Sequence, residues 1–223
     1  MNSIIILYFF MNRVKKYKLF KITIKYMKQN ETLLYIVIGF VLLVCLKIYY
    51  DSDAFQLKCI ISSVDGNKYC VREREKLELA ADLLAQVTKK CKLLVEYLRQ
   101  KYPDDSRVKR LVEGFNPKKI SETLPTSTLT AYSENKGEKI AFCLNTTKTG
   151  DTLIDLNTLT FVALHELSHI MTVSIGHKQD FWQNFKFLLE NAKLAKLYVP
   201  EDYKNKPKEY CGMKITDNPY YDL

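Results

Sequence analysis

The chain is poor in histidine: its 223 residues contain three. Other features are missing altogether. There is no glycine-rich phosphate-binding loop and no nucleophile elbow, which leaves nucleotide-dependent and serine-hydrolase chemistry without a visible seat. No internal repeat occurs. Net positive charge is small outside the N-terminal region. Seven basic residues between Arg13 and Lys28, set against Glu31, give residues 1–32 a charge of +6 out of a total of +9, leaving +3 for the other 191 residues. The globular part is therefore not expected to grip nucleic acid. The cysteines outside the long apolar run (Cys59, Cys70, Cys91, Cys143 and Cys211) are spaced like no zinc motif. Cys59 and Cys70 could close a small loop in an oxidising lumen, but all five equally suit buried thiols.

The three histidines all lie within thirteen residues, in Phe161-Val-Ala-Leu-His165-Glu166-Leu-Ser-His169-Ile-Met-Thr-Val-Ser-Ile-Gly176-His177. Histidines used for packing or solubility would be scattered. On a helix, His165 and His169 are i and i+4 and leave the same face. Two imidazoles at that spacing can hold one zinc ion, and Glu166 between them can serve as general base towards a water molecule. Gly176 can end the helix and turn the chain back, which makes His177 the third ligand. The residues His177-x-x-x-Phe181-Trp182 then anchor it with aromatic bulk. The bland alternative is a polar helix face with two solvated histidines. The mostly apolar surroundings of the motif argue against it.

A hydrophobic content of 47% with 12% aromatics excludes a disordered protein, and the length gives room for one domain plus an appendage. Residues 33–50, LLYIVIGFVLLVCLKIYY, are apolar all round and would rise about 27 Å as a helix, close to a hydrocarbon core. The run has no small-x-small cleavage site, so an uncleaved membrane span is expected rather than a signal peptide. The basic tail before it would stay cytosolic and send residues 51–223 to the opposite side, lumenal, extracytoplasmic or within a virion. The run Ile4–Phe10 is too short to span and suits a membrane surface.

The chain thus divides into four segments: tail 1–32, span 33–50, connector 51–70 with a turn at Asp65-Gly66-Asn67, and a domain over 71–223 with its core at 120–215. Apolar spacing of three and four residues predicts an amphipathic helix over about 71–101. A short helix is expected over 106–113, with Gly114 as its stop. Residues 129–133 and 139–144 read as a hairpin around Asn135-Lys136-Gly137. Asn157 or Thr158 would cap the motif helix, and a further helix starts at Gln179. The tail from Tyr198 is expected to be extended and to wrap the domain.

The pairing of His165-Glu-Leu-Ser-His169 with Gly176-His177-x-x-x-Phe181-Trp182 resembles the WLM/SprT-like zinc metallopeptidases. Together with Asn135-Lys136-Gly137-Glu138, Cys143-Leu144 and the run Asn184–Leu189, it looks like the metallopeptidases of large cytoplasmic DNA viruses. The resemblance covers roughly 120–215. It implies an α+β, mini-zincin-like domain with one zinc per chain, His165, His169 and His177 as ligands and Glu166 as base. The spacing is not that of metzincins, which would need a glycine and a histidine where Thr172 and Ile175 stand.

The function expected is a membrane-anchored zinc endopeptidase that acts on protein or peptide and meets the bilayer through residues 33–50. Tyr198, Tyr203 and Tyr210 are equal candidates to stabilise the oxyanion. Two alternatives stand beside it. One is a zinc-containing membrane or virion structural protein without catalysis. The other is a cytosol-facing protease for DNA–protein crosslinks, as some relatives are. The lean charge and the span do not support the latter.

Overall fold

The structure, a computed structural model, describes residues 31–50 and 56–222. The basic residues 13–28 and the run Ile4–Phe10 lie outside the described residues. Helix α1, Glu31–Tyr50, has the length and composition to cross a membrane, and its side chains are exposed. It belongs to one unit of the chain, and the elements after it belong to a second.

The second unit begins with a hairpin where the sequence suggested a connector. Strands β1 (Leu57–Ile61) and β2 (Lys68–Arg72) pair antiparallel, with Cys59 opposite Cys70 in a disulfide. The turn lies where expected: Asp65 Oδ1 accepts from the Asn67 amide at 3.0 Å, and Gly66 takes a φ of 71°. Tyr69 and Val71 alternate inward, and this strand period displaces the expected helix start. Buried Arg72 donates to the Thr123 carbonyl (2.7 Å) and hydroxyl (2.8 Å), and Arg74 pairs with buried Glu122. The hairpin is therefore fixed to residues 122 and 123 by charged groups that satisfy one another.

Helix α2 runs Leu77–Lys101 and buries Ala81, Leu84, Val87, Cys91, Leu94 and Leu98, the stripe read from the sequence. Helix α3, Ser106–Gly114, is capped by Asp105, whose side chain accepts from the Arg107 amide. Gly114 is the last residue of α3, in line with the expected stop, and it has a further use. A Cβ there would come within 2.6 Å of the Lys136 carbonyl oxygen and of Ile170. Strands β3 (Ile120–Glu122), β4 (Ala131–Glu134) and β5 (Lys139–Phe142) form a sheet in the order β3-β5-β4, parallel then antiparallel. β4 is an edge. Its four-residue turn to β5, 135–138, has Asn135, Lys136 and Gly137 at φ 46°, 56° and 106°, left-handed backbone that reverses the chain.

Helix α4, Leu156–Met171, carries the His-Glu-x-x-His motif, and α5, Gln179–Leu194, packs beside it through Phe181, Phe185, Leu188, Leu189 and Ala192. The tail then folds more than expected. β6 (Lys208–Tyr210) and β7 (Met213–Ile215) form a third hairpin, and a short helix α6, Pro219–Asp222, comes after it. The second unit is a mixed helix-and-sheet fold. Its core lies between α2, α4, α5 and the sheet.

Candidate metal centre and active site

α4 begins at Asp155, not at the expected Asn157 or Thr158. The Asp155 carboxylate accepts from the Thr158 amide at 2.9 Å and the Thr158 hydroxyl at 2.7 Å. Asn157 is used elsewhere, bridging to the Val199 backbone and Glu201. The helix is apolar on nearly every side. Its hydroxyls stay satisfied by bonding one turn back: Thr160 to the Leu156 carbonyl and Ser168 to the Leu164 carbonyl. Such a helix is buried all round except where its imidazoles emerge.

The end of α4 is held by cations. Lys136 Nζ donates to the carbonyls of His169 (3.2 Å), Thr172 (2.8 Å) and Ser174 (3.1 Å), and Arg110 Nε donates to that of Met171 (3.0 Å). Those of His169, Met171 and Thr172 are carbonyls that a helix C-terminus leaves without partners, that of Ser174 belongs to the loop beyond, and positive charge there also suits the helix dipole. The chain then turns at Gly176, φ 80°, and the Trp182 indole N–H donates to the His177 carbonyl at 3.1 Å. That bond, with Ser174 donating to Asp180 at 2.7 Å, fixes the loop that presents His177.

The three imidazoles meet. His177 Nε2 lies 3.0 Å from His165 Nε2 and 3.1 Å from His169 Nε2. Phe181 underlies all three, with ring centroids 4.9, 4.4 and 4.6 Å from those of His165, His169 and His177. Among the described residues this is where three potential metal donors converge. Tetrahedral zinc with Zn–N bonds of about 2.0–2.1 Å needs nitrogens about 3.3 Å apart, so the donor set fits that ion closely. The protonation states fit as well. Burial, with the neighbouring imidazoles, lowers the pKa of His165 to about 3. Burial, with His177 and Lys136, lowers that of His169 to about 4. Neutral imidazole is the ligand form.

Glu166 is buried beside them, and burial raises its carboxyl to about 8. It borders a cleft of about 400 Å³ together with His165 and His177. Of the three tyrosines left open by the sequence, Tyr210 alone reaches this cleft, and its hydroxyl donates to the Thr130 carbonyl at 3.1 Å. Tyr198 accepts from Asn218 Nδ2, and Tyr203 packs against Phe161 in the core.

Tyr210 is placed by its surroundings. Cys211 and Gly212, with φ of 51° and 78°, form the two-residue turn of the β6–β7 hairpin. Cys211 is disulfide-bonded to Cys143 just after β5, and its amide donates to the Asn145 carbonyl. The sequence left this pairing open. The hairpin tip is thus fastened beside the sheet, with Tyr210 and Met213 on its cleft side.

The model of the WLM domain matches residues 66–220. The chain belongs to the WLM family. An uncharacterized protein of Acanthamoeba polyphaga mimivirus is 31% identical over 192 residues, which cover 82% of this chain and 97% of that relative. An uncharacterized protein of Invertebrate iridescent virus 6 is 38% identical over 82 residues, 36% of this chain and 44% of the relative. Among solved structures, Wss1 from Saccharomyces cerevisiae aligns at a TM-score of 0.42 and 19% identity, over 56% of this chain and 87% of that one. The resemblance seen in the motif is thereby a membership. This is a WLM protein related to those of large DNA viruses, of metallopeptidase type.

Proposed function

We propose that this WLM protein is a zinc-dependent endopeptidase of the mini-zincin kind, anchored in a membrane by α1. The observation that carries the proposal is the convergence of three imidazoles, with His177 Nε2 3.0 Å from that of His165 and 3.1 Å from that of His169, and a buried carboxyl, Glu166, beside them. His165, His169 and His177 would hold the ion. Bound zinc supplies Lewis acidity, which polarises a peptide carbonyl and makes water acidic enough to attack near neutral pH.

The remaining steps belong to the protein. Glu166 takes a proton from the attacking water and passes it to the leaving amine. A carboxyl whose burial raises its pKa can give a proton as readily as take one, and a nearby cation favours its carboxylate form when base is needed. Tyr210 is the tyrosine positioned to donate towards the oxygen that gains charge, in exchange for its bond to Thr130. Strand β4 ends the sheet order, with β5 on one side, so an extended substrate can add to its other side beside the cleft.

The anchor reading rests on the length and apolar composition of α1. The two disulfides, Cys59–Cys70 and Cys143–Cys211, favour an oxidising side for the residues after it. Metal analysis of the full chain by mass spectrometry tests the centre. One zinc per wild-type chain, greatly reduced in His177→Ala, is the expected result. A folded wild type without zinc would overturn it. Peptide cleavage that disappears in Glu166→Gln while zinc stays bound supports the base, and wild-type turnover in that variant would end the assignment.

A further inference from the structure

The cleft beside the three histidines has a composition that catalysis alone does not require. Phe161, Val162, Trp182, Phe185, Met213 and Ile215 line it beside His165, Glu166 and His177, and Asp217 is a further charged member of the lining. Of the six apolar residues, the first four come from α4 and α5, the helices that carry the histidines. The last two come from β7, brought there from about fifty residues away by the hairpin that Cys211 fastens to Cys143. Thr130 and Ala131, where edge strand β4 begins, also line it. At about 400 Å³ the cleft lies in the range of ligand pockets.

We infer that this cleft is a specificity subsite for a bulky apolar side chain, such as Leu, Phe or Met, on the residue next to the scissile bond. The inference rests on the peptidase reading. A peptide paired with β4 is extended and sends alternate side chains to one face of the sheet. The side chains directed towards α4 meet walls of aromatic and aliphatic carbon. The cleft is continuous with Glu166 and His165, so the residue it takes adjoins the reacting bond. An acidic side chain there would lose its hydration against those six walls and meet the carboxyl groups of Glu166 and Asp217. A basic one would lose hydration against the same walls, and Asp217, the exposed carboxylate of the lining, already pairs with Lys204 at 3.9 Å. Met213 and Ile215 select the residue without contacting the reacting atoms.

Trp182 is the sole tryptophan of the chain and lies in the cleft, so its emission reports occupancy. The test uses the full chain in lipid nanodiscs, carrying Glu166→Gln so that bound peptides stay intact. Peptides identical but for one residue (Leu, Phe, Asp or Lys) are titrated while Trp182 emission is followed. The Leu and Phe peptides are expected to bind at least about 10-fold more tightly than the Asp and Lys peptides, the scale set by an apolar pocket. Met213→Lys should reverse the order between Leu and Asp. Met213 is 48% exposed, so that variant keeps its fold, and Ile215→Lys is the second variant. In parallel, the wild type should cut a peptide mixture with Leu, Phe or Met enriched at one position flanking the cut.

Equal affinities for all four peptides, or cuts without a flanking preference, would overturn the subsite. Emission that moves with decanoate and not with peptide would assign the cleft to lipid and also overturn it. Retained peptide preference without any cleavage by the wild type would strike the peptidase reading and leave the subsite standing.

Discussion

Glu166 shows what burial does to a single carboxyl. In the folded chain its pKa is raised to about 8, against 4.5 for an ordinary glutamate, so between those values the folded state holds a proton that the unfolded state has released. Stability from this group is present below about 4.5 and is lost as pH rises through about 8. Glu166→Gln removes the dependence. In chelator, the melting temperature of Glu166→Gln is expected to exceed that of the wild type by more at pH 9 than at pH 5. A gap that stays constant or narrows would show that the carboxyl is not desolvated as described. With zinc present the same substitution should lower turnover by about 10²–10⁴-fold, the usual contribution of a general base. These residues were legible because i, i+4 spacing is a local property, and a histidine count of three makes their clustering conspicuous. Tyr210 could only be one of three candidates, because its approach to the cleft depends on a hairpin some forty residues beyond the motif helix.

At the scale of elements, the end of α4 and the turn between β4 and β5 form one joint. Gly114 of α3 and Gly137 of that turn face each other: a Cβ on Gly137 would collide with the Gly114 carbonyl and with Ile170, and φ at Gly137 is 106°. Gly137→Ala should cost at least about 2 kcal/mol, since it combines left-handed strain with a backbone clash. Denaturant titration measures this, and a loss below about 0.5 kcal/mol would contradict the packing. Lys136, in the same turn, holds three carbonyls at the end of α4. Lys136→Met is expected to cost about 1–2 kcal/mol and to weaken zinc binding, because one of those carbonyls belongs to His169. Unchanged stability and metal affinity would remove Lys136 from this role. The sequence announced the hairpin through Asn135-Lys136-Gly137, α2 and α5 through their apolar spacing, α3 with Gly114 as its stop, and α4 through its paired histidines. It did not announce β3, a three-residue strand whose parallel partner is β5. Nor did it separate Gly114 as a stop from Gly114 as a point of close approach, because both uses demand the same residue.

For the whole molecule, the disulfide Cys143–Cys211 joins positions 68 residues apart. Closing a loop of that size stabilises a fold by about 4 kcal/mol in the chain-entropy account. Cys211→Ser is expected to lower the melting temperature by several degrees and to reduce peptide cleavage more than it reduces zinc content, because the β6–β7 wall of the cleft loosens while the three histidines stay on α4 and its loop. Equal loss of both would mean that the hairpin supports the metal centre instead. If α1 spans a bilayer as proposed, residues 56–222 should resist added protease in sealed vesicles that keep the N-terminal tail outside. Digestion of that part would reverse the orientation. The sequence offered Cys59–Cys70 as one open possibility, but the Cys143–Cys211 pairing was beyond it, because only the folded chain brings those two together.

That bond encloses more than a stretch of chain. Both α4 and α5, with all three histidines and Glu166, lie between its two cysteines. A protease is exposed to its own activity and that of its neighbours, and the bends at 146–150, 172–178 and 200–207 are where a cut would fall. A single cut inside this covalent ring severs the backbone but releases nothing: both pieces stay joined through sulfur. A nicked molecule would gain only the mass of the water consumed, and would stay in one piece until a reducing agent split it.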